Sequence, residues 1–269
     1  MRFGLTANVE VPNGARLARM AYDALKGKDV VLEHEIAKEF GTKGTSIEKM
    51  DVDMLIAVGG DGTILRALQK SDAPIFGINA GELGFLTVVG EQQIAKGIKQ
   101  VLDGDYQLDE RIKLKTTVEG RRVKDATNET VVHTAHIAKI RHFRVYVDDQ
   151  LAVEVRADGI IVSTPTGSTS YALSVGAPVI DPRMDALVIA PMAPFKFAGR
   201  PTVVPATSDI RLELVRPKPC VAVIDGQEEI QMTGGETVHF SRSEKTAKFV
   251  SFGHSFYSRM REELMGGPC

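Results

Sequence analysis

The order of apolar and polar positions divides the chain into two regions of different texture. Up to Tyr106, short apolar runs rich in Val and Ile alternate with stretches of helical periodicity. This alternation predicts strands at 3–6, 30–32, 53–58 and 74–79, with helices at 15–25, from the turn after residue 58 to about 69, and at 91–102. Residues 33–40 are compatible with a helix or a loop. Strands and helices at this spacing predict a parallel, doubly wound α/β sheet.

After Tyr106 the pattern changes to short Val-, Ile- and Thr-rich segments separated by turns such as Asp225-Gly226, which predicts an all-β, sandwich-like domain. The predicted strands are 114–118, 130–138, 143–147, 151–155, 159–163, 186–190, 210–215, 220–224, 237–241 and 248–251. Helices are expected only at 169–175 and 256–264. We therefore expect a domain at 1–105, joined by the C-terminal helix 253–269, and a second domain at 106–252.

A glycine turn with the sequence GGDGT follows the buried strand at 53–58 and precedes a helix. Free N–H groups and the helix dipole make such a turn a natural anion site. A carboxylate there repels phosphate, so we expect Asp61 to act on a hydroxyl proton or on a bound Mg²⁺. The structural alternative is a strand–helix turn capped by Asp or Thr. A second glycine loop, at 79–86, also follows a strand, so the two loops could converge on one site.

Two further strings carry polar side chains in the β-rich region. Asn128 and Glu129 stand at the start of a strand, where they are either a solvated strand end or a grip on a base edge or ribose diol. The string RADG at 156–159 and the following strand lead to six hydroxyl residues interrupted only by Pro165 and Gly167. Their density exceeds what helix capping needs, which favours a ligand loop.

Composition narrows the class of protein. The chain has 269 residues, a formal net charge of −2 and two cysteines. The charge argues against nucleic-acid binding, and the cysteine content favours a reducing cytoplasm. We see no signal peptide and no apolar stretch of membrane-spanning length, so no membrane partner is expected. His133 and His136 lie three apart on a predicted strand and therefore face opposite sides, so no metal site held by protein alone is expected.

Taken together and in this order, these strings resemble the NAD kinase family over nearly the whole chain. The GGDGT string is shared with diacylglycerol and sphingosine kinases; the Asn-Glu pair, the LGFLT-like string and the TPTGST loop single out NAD kinases. The resemblance implies transfer of the terminal phosphoryl group of ATP, or of polyphosphate, to the 2′-hydroxyl of the adenosine ribose of NAD, giving NADP. It also implies Mg²⁺ on the donor phosphates, a homo-oligomer (dimer or tetramer), and an NAD site between an α/β and a β-rich domain.

The resemblance also assigns roles to matching positions. Asp61 corresponds to the proposed catalytic base on the 2′-hydroxyl, and the phosphate-facing residues are Gly60, Gly62 and Thr63. Asn128 and Glu129 would hold the adenosine part of NAD. Asp158 would bind the nicotinamide end, with Arg156 of the same string counted among the cofactor-binding residues. The residues expected to line the NAD pocket are Thr166, Thr169, Ser170 and Tyr171. Ser170 and Ala177 depart from the family's usual Ala and Gly, and the first departure bears on the choice between NAD and NADH.

Two alternatives from other classes remain at this point. A lipid kinase sharing the GGDGT turn needs an apolar acceptor cleft or a membrane-docking face, and the sequence offers no basic amphipathic stretch for one. A non-catalytic nucleotide-binding regulator is disfavoured by Asp61, because a pure phosphate binder has no use for a carboxylate in that turn.

Overall fold

The computed structural model describes residues 1–81, 84–136, 139–195, 199–253 and 255–266. The chain divides into two compact units. The first comprises Met1–Glu110 and Ala247–Cys269, and the second comprises Arg111–Thr246.

Strands and helices alternate along the first unit, as the sequence pattern predicts. In chain order they are β1 (Arg2–Ala7), α1 (Gly14–Ala24), β2 (Asp29–Leu32), α2 (His34–Glu39), β3 (Met54–Gly59), α3 (Asp61–Leu68), β4 (Ile75–Asn79) and α4 (Ile94–Asp103). The strands pair in parallel in the order β2-β1-β3-β4. This order is a doubly wound sheet, and residues 33–40, which the pattern left open, contain a short helix.

The central strand β3 shows why the sheet has a layer on each face. Its six residues are all buried. Met54, Ile56 and Val58 pack with α1 and α4 in one apolar cluster, whereas Leu55 and Ala57 pack with α3 in another. A strand buried on both faces reads as a continuous apolar run rather than as an alternation, which is the pattern of a parallel sheet.

The remaining elements follow in chain order. They are β5 (Gln107–Val118), β6 (Arg121–Arg122), β7 (Glu129–Thr134), β8 (Arg141–Val147), β9 (Gln150–Ala157), β10 (Gly159–Ser163), α5 (Tyr171–Ser174), β11 (Ala186–Met192), β12 (Thr202–Pro205), β13 (Ile210–Leu214), β14 (Cys220–Ile224), β15 (Glu228–Met232), β16 (Val238–Ser251) and α6 (Phe256–Met265). Helix α6 belongs to the first unit.

The second unit contains two antiparallel sheets around one apolar core. One sheet has the order β12-β11-β10-β7-β14-β15. The other contains β13 between β16 and β8, with β9 beyond β8. Side chains such as Val132, Ile160, Phe143 and Phe240 from the two sheets form one buried cluster. This arrangement confirms the expectation of a β-rich, sandwich-like C-terminal domain and a C-terminal helix.

The strand assignment differs from the sequence expectation in several places, among them β5, which begins at Gln107, and β7, which ends at Thr134. The strands predicted at 237–241 and 248–251 are one strand, β16, whose polar middle hides its continuity. Strands β6, β12 and β15 were not predicted, because they are short, contain Pro205, or carry charged residues. Residues 137 and 138 of the predicted strand 130–138 lie outside the described residues, as do the last three residues of the expected terminal helix.

In the part of the chain that the structure describes, the longest helices fall short of a membrane span, and none is apolar enough to be one.

Candidate active site

The GGDGT turn joins β3 to α3 at the C-terminal edge of the parallel sheet. Gly60 is the residue before the helix and has an extended backbone (φ −94°, ψ −173°), and Asp61 is the first helical residue. A side-chain carbon on Gly60 or Gly62 would meet no atom within 4 Å. Thr63 is buried, and its hydroxyl oxygen lies against the Cα of Gly59. The turn therefore has an open face at its two glycines and a packed face at Thr63.

Asp61 connects this turn to the second glycine loop. Its Oδ2 accepts the backbone N–H of Phe85 at 2.9 Å, and its Oδ1 accepts that of Leu86 at 3.0 Å. A Cβ on Gly84 would lie 2.3 Å from Oδ1, so the loop can approach the carboxylate this closely only with glycine at that position. The two loops thus meet at Asp61, which is half-buried and held at both oxygens. Residues 82 and 83 of the second loop lie outside the described residues.

A buried polar cluster anchors α3, the helix that begins with Asp61. Arg66 donates from both terminal nitrogens to Glu33 at 3.1 Å, and from one of them to the Thr6 hydroxyl, also at 3.1 Å. Glu33 and Thr6 are buried at the ends of β2 and β1. Removing one partner of such a buried pair leaves an uncompensated charge, so the cluster fixes where α3 sits on the sheet.

In the second unit, Asn128 and Glu129 are held through their backbone by Asp225. The two oxygens of Asp225 accept the N–H groups of Thr127, Asn128 and Glu129 at 2.8, 2.8 and 3.2 Å. Asp225 has a left-handed backbone (φ 49°) in the turn between β14 and β15. The sequence pattern identified Asp225-Gly226 only as a turn and missed this role, because Asp is also an ordinary turn residue.

Most of the hydroxyl groups in the loop at 163–170 bond inside the protein. The Ser163, Thr164, Ser168 and Thr169 side chains donate to backbone carbonyls at 2.6–3.2 Å. These four hydroxyls use their protons within the protein, where they stabilise a turn of 3₁₀ helix at Thr166–Thr169 and its contact with the strand start at 127–128. That this loop binds a ligand stays a prediction. The turn also positions the two remaining hydroxyls, on Thr166 and Ser170.

Three buried side-chain oxygen atoms of the predicted site residues have no hydrogen-bond partner among the described residues: Asn128 Oδ1, Glu129 Oε2 and Thr166 Oγ1. The hydroxyl of the neighbouring Thr127 is a fourth such atom beside the loop. Ser170 donates to the other oxygen of Glu129 at 3.3 Å. The Cα of Gly167 packs against the carbonyl of Asn128, which brings the loop beside the strand start. Buried polar groups are nearly always paired in native proteins, so a cluster of unpaired acceptors marks a place where a ligand or water supplies donors.

The ionisation of Glu129 reflects this shortage of donors. Burial, and secondly the charge of Asp225, raises the pKa of Glu129 to about 8, and the Ser170 hydroxyl opposes the shift only in part. Burial also raises the pKa of Asp225, but three backbone N–H groups and the charge of Lys113 act in the opposite direction. Glu129 therefore carries a proton at neutral pH until new donors reach its free oxygen.

The other predicted site residues lie around the strands of the second unit. Arg156 is exposed near the end of β9, with its guanidinium carbon 5.4 Å from the centre of the Phe195 ring. Asp158 is half-buried between β9 and β10, where its backbone N–H donates to the carbonyl of Met192. Tyr171 is exposed at the start of α5. Among the described residues, none of these three hydrogen-bonds to the Asn128–Glu129 pair. Asp61, Gly60, Gly62 and Thr63 belong to the other unit.

Among the described residues, no three His, Cys, Asp or Glu side chains gather in a group that could hold a metal ion. Cys220 is buried, and burial raises the pKa of its thiol. Cys269 and His254 lie outside the described residues.

Comparison with known families covers both halves of the chain. A family model described as the ATP-NAD kinase N-terminal domain matches residues 5–106, and one described as the ATP-NAD kinase C-terminal domain matches residues 127–252. The NAD kinase of Thermoplasma acidophilum is 39% identical over 267 residues, covering 98% of each chain. The NAD kinase of Thermococcus gammatolerans is 44% identical over 269 residues, covering 96% of this chain and 97% of that protein.

Solved structures agree with the sequence matches. An NAD kinase from Archaeoglobus fulgidus, determined in complex with ATP, superimposes with a TM-score of 0.78 at 29% identity and covers 99% of this chain and 98% of that one. Yeast NADH kinase complexed with NADH has the same fold, with a TM-score of 0.90 at 21% identity over 99% of this chain and 87% of that one. Both family domains match in order, and the relatives from Thermoplasma acidophilum and Thermococcus gammatolerans are 39% and 44% identical along nearly the whole chain. The chain therefore belongs to the NAD kinase family.

Proposed function

We propose that this protein transfers the terminal phosphoryl group of ATP to the 2′-hydroxyl of the adenosine ribose of NAD, giving NADP. The observation that carries the proposal is the set of unpaired buried acceptors on Asn128, Glu129 and Thr166, in a chain that belongs to the NAD kinase family. An adenosine presents ribose hydroxyls and an exocyclic amine, which are the donors that such acceptors need. The matches lend no support to the lipid-kinase alternative.

In this proposal, the second unit binds the acceptor substrate. Glu129 Oε2 accepts a hydrogen bond from a hydroxyl or amine group of the adenosine part. Ser170 donates a hydrogen bond to the other oxygen of Glu129 and so holds it in place. Asn128 Oδ1 accepts a second donor beside it. Thr166, with Thr169 and Tyr171 in the same loop, lines the pocket. Asp158 and Arg156 bind the nicotinamide end, a role that rests on the resemblance in sequence.

Asp61 is proposed as the general base. A ribose hydroxyl is a weak nucleophile, and a positioned carboxylate can take its proton as the new P–O bond forms, which contributes roughly 10²–10⁴ in rate. Each oxygen of Asp61 accepts one N–H and keeps a second lone pair for the substrate. The carboxylate is therefore fixed in direction before any substrate arrives, which supports this role.

The open glycines of the GGDGT turn are proposed to face the donor phosphates. Space at Gly60 and Gly62 lets phosphate oxygens approach the first turn of α3, and Thr63 packs behind them. Mg²⁺ bound with the donor phosphates neutralises charge on the transferred group. The described acidic residues form no cluster that would hold this ion, so the phosphates and water are expected to supply most of its ligands.

Three finer points are proposed from the resemblance and the composition. The protein forms a homo-oligomer, a dimer or a tetramer, which light scattering on the purified protein tests. It works in the reducing cytoplasm, as its two cysteines suggest. The first unit binds the donor phosphates and the second unit binds NAD, as the roles carried over from the resemblance imply.

One assay tests the activity. The purified protein is incubated with Mg-ATP and either NAD or diacylglycerol, and NADP and phosphatidate are measured. We expect NADP alone. Phosphatidate would restore the lipid-kinase alternative, and binding of nucleotide without either product would leave a non-catalytic regulator. Replacing ATP with polyphosphate, and NAD with NADH, in the same assay identifies the preferred donor and acceptor.

A further inference from the structure

The C-terminal helix contacts the loop that holds Asp61. Arg259, on α6, donates from Nη1 to the carbonyl of Phe85 at 3.1 Å and also to the carbonyl of Thr87. Arg259 and these carbonyls all belong to the first unit. The sequence motifs assign no function to this helix.

The two contacts of this loop share one peptide group. The carbonyl of Phe85 and the N–H of Leu86 belong to the same peptide plane. The carbonyl accepts from Arg259, and the N–H donates to Asp61 Oδ1 at 3.0 Å. Hydrogen bonds in such a chain polarise one another, and a guanidinium at the carbonyl end strengthens the N–H as a donor. One peptide therefore connects a permanent positive charge to the carboxylate of Asp61.

Arg259 is a polar attachment of the helix to this loop, and other contacts hold the loop as well. The loop itself is held on its far side by the N–H of Val88, which donates to the carbonyl of Gly77 at 2.9 Å, and by the buried side chain of Leu86. On its near side, the ring of Phe256 packs 6.4 Å from that of Phe85. Several other helix side chains are exposed, among them Tyr257, Arg261 and Leu264.

We infer that Arg259 is a positioning residue for the phosphoryl transfer: through the Phe85–Leu86 peptide it fixes the direction in which Asp61 presents its carboxylate. The inference rests on the proposed function in that Asp61 is taken as the base. In this role Arg259 acts through the loop and not by contact with a substrate. Its loss is therefore expected to lower turnover and to leave substrate affinity nearly unchanged.

The test uses the full-length protein and four single variants. Arg259→Met removes the charge and keeps much of the aliphatic stem, and Arg259→Lys keeps a charge that can reach one carbonyl. Phe256→Leu loosens the packing of the helix without touching the charge. Arg261→Met is the matched control, an exposed arginine on the same helix. For each variant, kcat, both KM values, Tm and the hydrogen exchange of the backbone amides at 84–88 are measured.

For Arg259→Met we expect kcat to fall roughly 10-fold or more with both KM values within about twofold of wild type, since a misdirected catalytic group costs turnover. Amide exchange at Phe85 and Leu86 should quicken roughly 10-fold, because a charge-assisted hydrogen bond is lost from their loop. Arg259→Lys should recover a substantial part of both effects, Phe256→Leu should keep most of the turnover, and Arg261→Met should match wild type.

Two results would overturn the inference. One is an Arg259→Met protein whose kcat equals that of Arg261→Met. The other is a loss of kcat that follows the loss of Tm in Arg259→Met, Arg259→Lys and Phe256→Leu alike, while amide exchange at 84–88 stays unchanged. That result would show that Arg259 only anchors the helix. The exchange measurement does not depend on any activity. If the wild-type protein made no NADP, the proposed function would fail while the structural link between Arg259 and the loop could still be judged.

Discussion

The two carboxylates at the centre of the proposed chemistry are held in opposite ways. Asp61 is half-buried, and each of its oxygens accepts a backbone N–H, at 2.9 and 3.0 Å. Glu129 is more deeply buried, and within the described part of the chain only one of its oxygens has a partner, the Ser170 hydroxyl at 3.3 Å. Its pKa is raised to about 8, chiefly by burial.

Asp61 therefore has hydrogen-bond partners at both oxygens before the substrate arrives, whereas Glu129 is expected to gain the partner of its second oxygen from the substrate. Asp61 is satisfied by the protein itself, so substrate binding need not reorganise it, which suits a base that must be aligned with a hydroxyl. The Oε2 of Glu129 has no donor among the described residues. A ligand that supplies a donor removes the free-energy cost of leaving this buried oxygen unpaired, and it binds more tightly as a result. The comparison predicts that changes at Asp61 act on turnover and that changes at Glu129 act on binding.

The largest expected effect is that of Asp61→Asn. The variant loses the base, so kcat should fall by roughly 10²–10⁴ while NAD binding is kept. The Asn side chain offers one acceptor oxygen where two N–H groups point, so a modest loss of Tm should accompany the change. Steady-state kinetics and calorimetric titration with NAD check both parts. Asp53→Asn, at an exposed carboxylate of the same unit, serves as the control. A kcat near that of wild type would remove Asp61 from the role of base.

The next effect tests whether the second glycine loop aligns Asp61. In Gly84→Ala the added carbon would lie 2.3 Å from Oδ1 and 2.7 Å from Cγ, so the carboxylate must turn away. We expect kcat to fall on the order of 10²-fold, since small misplacements of a catalytic group have effects of this size. Gly60→Ala is the matched variant, because its new carbon meets nothing within 4 Å and its backbone suits alanine.

Gly60→Ala should fold with near-normal Tm and mainly raise KM for ATP, because the methyl group occupies space assigned to phosphate. Equal loss of kcat in Gly84→Ala and Gly60→Ala would contradict the idea that Gly84 is needed to keep the Asp61 carboxylate aligned.

A smaller effect is expected at Glu129. Glu129→Gln removes the ability to ionise, and one of its amide positions offers a donor where an acceptor is needed. KM for NAD should rise roughly 10-fold, as for loss of a hydrogen bond to a charged group, and KM for ATP should change much less. Equal rises in both KM values would argue against a role in binding the nucleoside.

The raised pKa of Glu129 gives this variant a second signature. Donors from NAD favour the ionised form, so binding expels the proton that Glu129 carries below a pH of about 8. In wild type, NAD affinity should therefore increase as pH rises toward that value and level off above it. In Glu129→Gln this slope should be absent. Calorimetric titration between about pH 6 and pH 9, in buffers of different ionisation enthalpy, measures both the slope and the released proton.

The smallest effects distinguish a ligand hydroxyl from a structural one in the same loop. Thr166 Oγ1 is buried and has no partner among the residues that the structure describes. Ser168 Oγ, by contrast, donates to the carbonyl of Pro165 at 2.6 Å and accepts the N–H of Ile180 at 2.9 Å. Thr166→Val should keep or raise Tm and increase KM for NAD severalfold. Ser168→Ala should lower stability by about 1–3 kcal/mol, because it leaves buried groups unpaired. Thermal unfolding and steady-state kinetics are measured on both variants. Equal changes of Tm and of KM for NAD in the two would contradict the assignment of different roles to Thr166 and Ser168.

Much of the fold could be predicted because it depends on local pattern. The apolar run of β3, the glycine turn behind it and the alternation of strands with helices indicate the parallel sheet without any long-range information. Strand β16 shows the limit. Its apolar ends predict two strands because the residues between them, Arg242 to Thr246, are largely polar, and polar residues are expected in a turn as well as in an exposed strand.

The site was predictable only in part, for a different reason. Asp61, Asn128 and Glu129 stand out as polar groups in conspicuous strings. The residues that hold them lie far away in the sequence: Asp225 is 97 positions from Asn128, and Arg259 is 174 positions from Phe85. A hydroxyl-rich string also looks the same whether its hydroxyls bond to a ligand or to backbone carbonyls. Only the three-dimensional structure distinguishes Thr166 from Ser168.

The most direct test of the central contrast is a single-turnover reaction at saturating NAD and Mg-ATP, comparing wild type, Asp61→Asn and Glu129→Gln. If the two carboxylates have the tasks assigned to them, Glu129→Gln forms NADP at close to the wild-type rate once NAD saturates it. Asp61→Asn binds NAD as wild type does and forms NADP at a small fraction of that rate. A slow Glu129→Gln beside a fast Asp61→Asn would contradict the account.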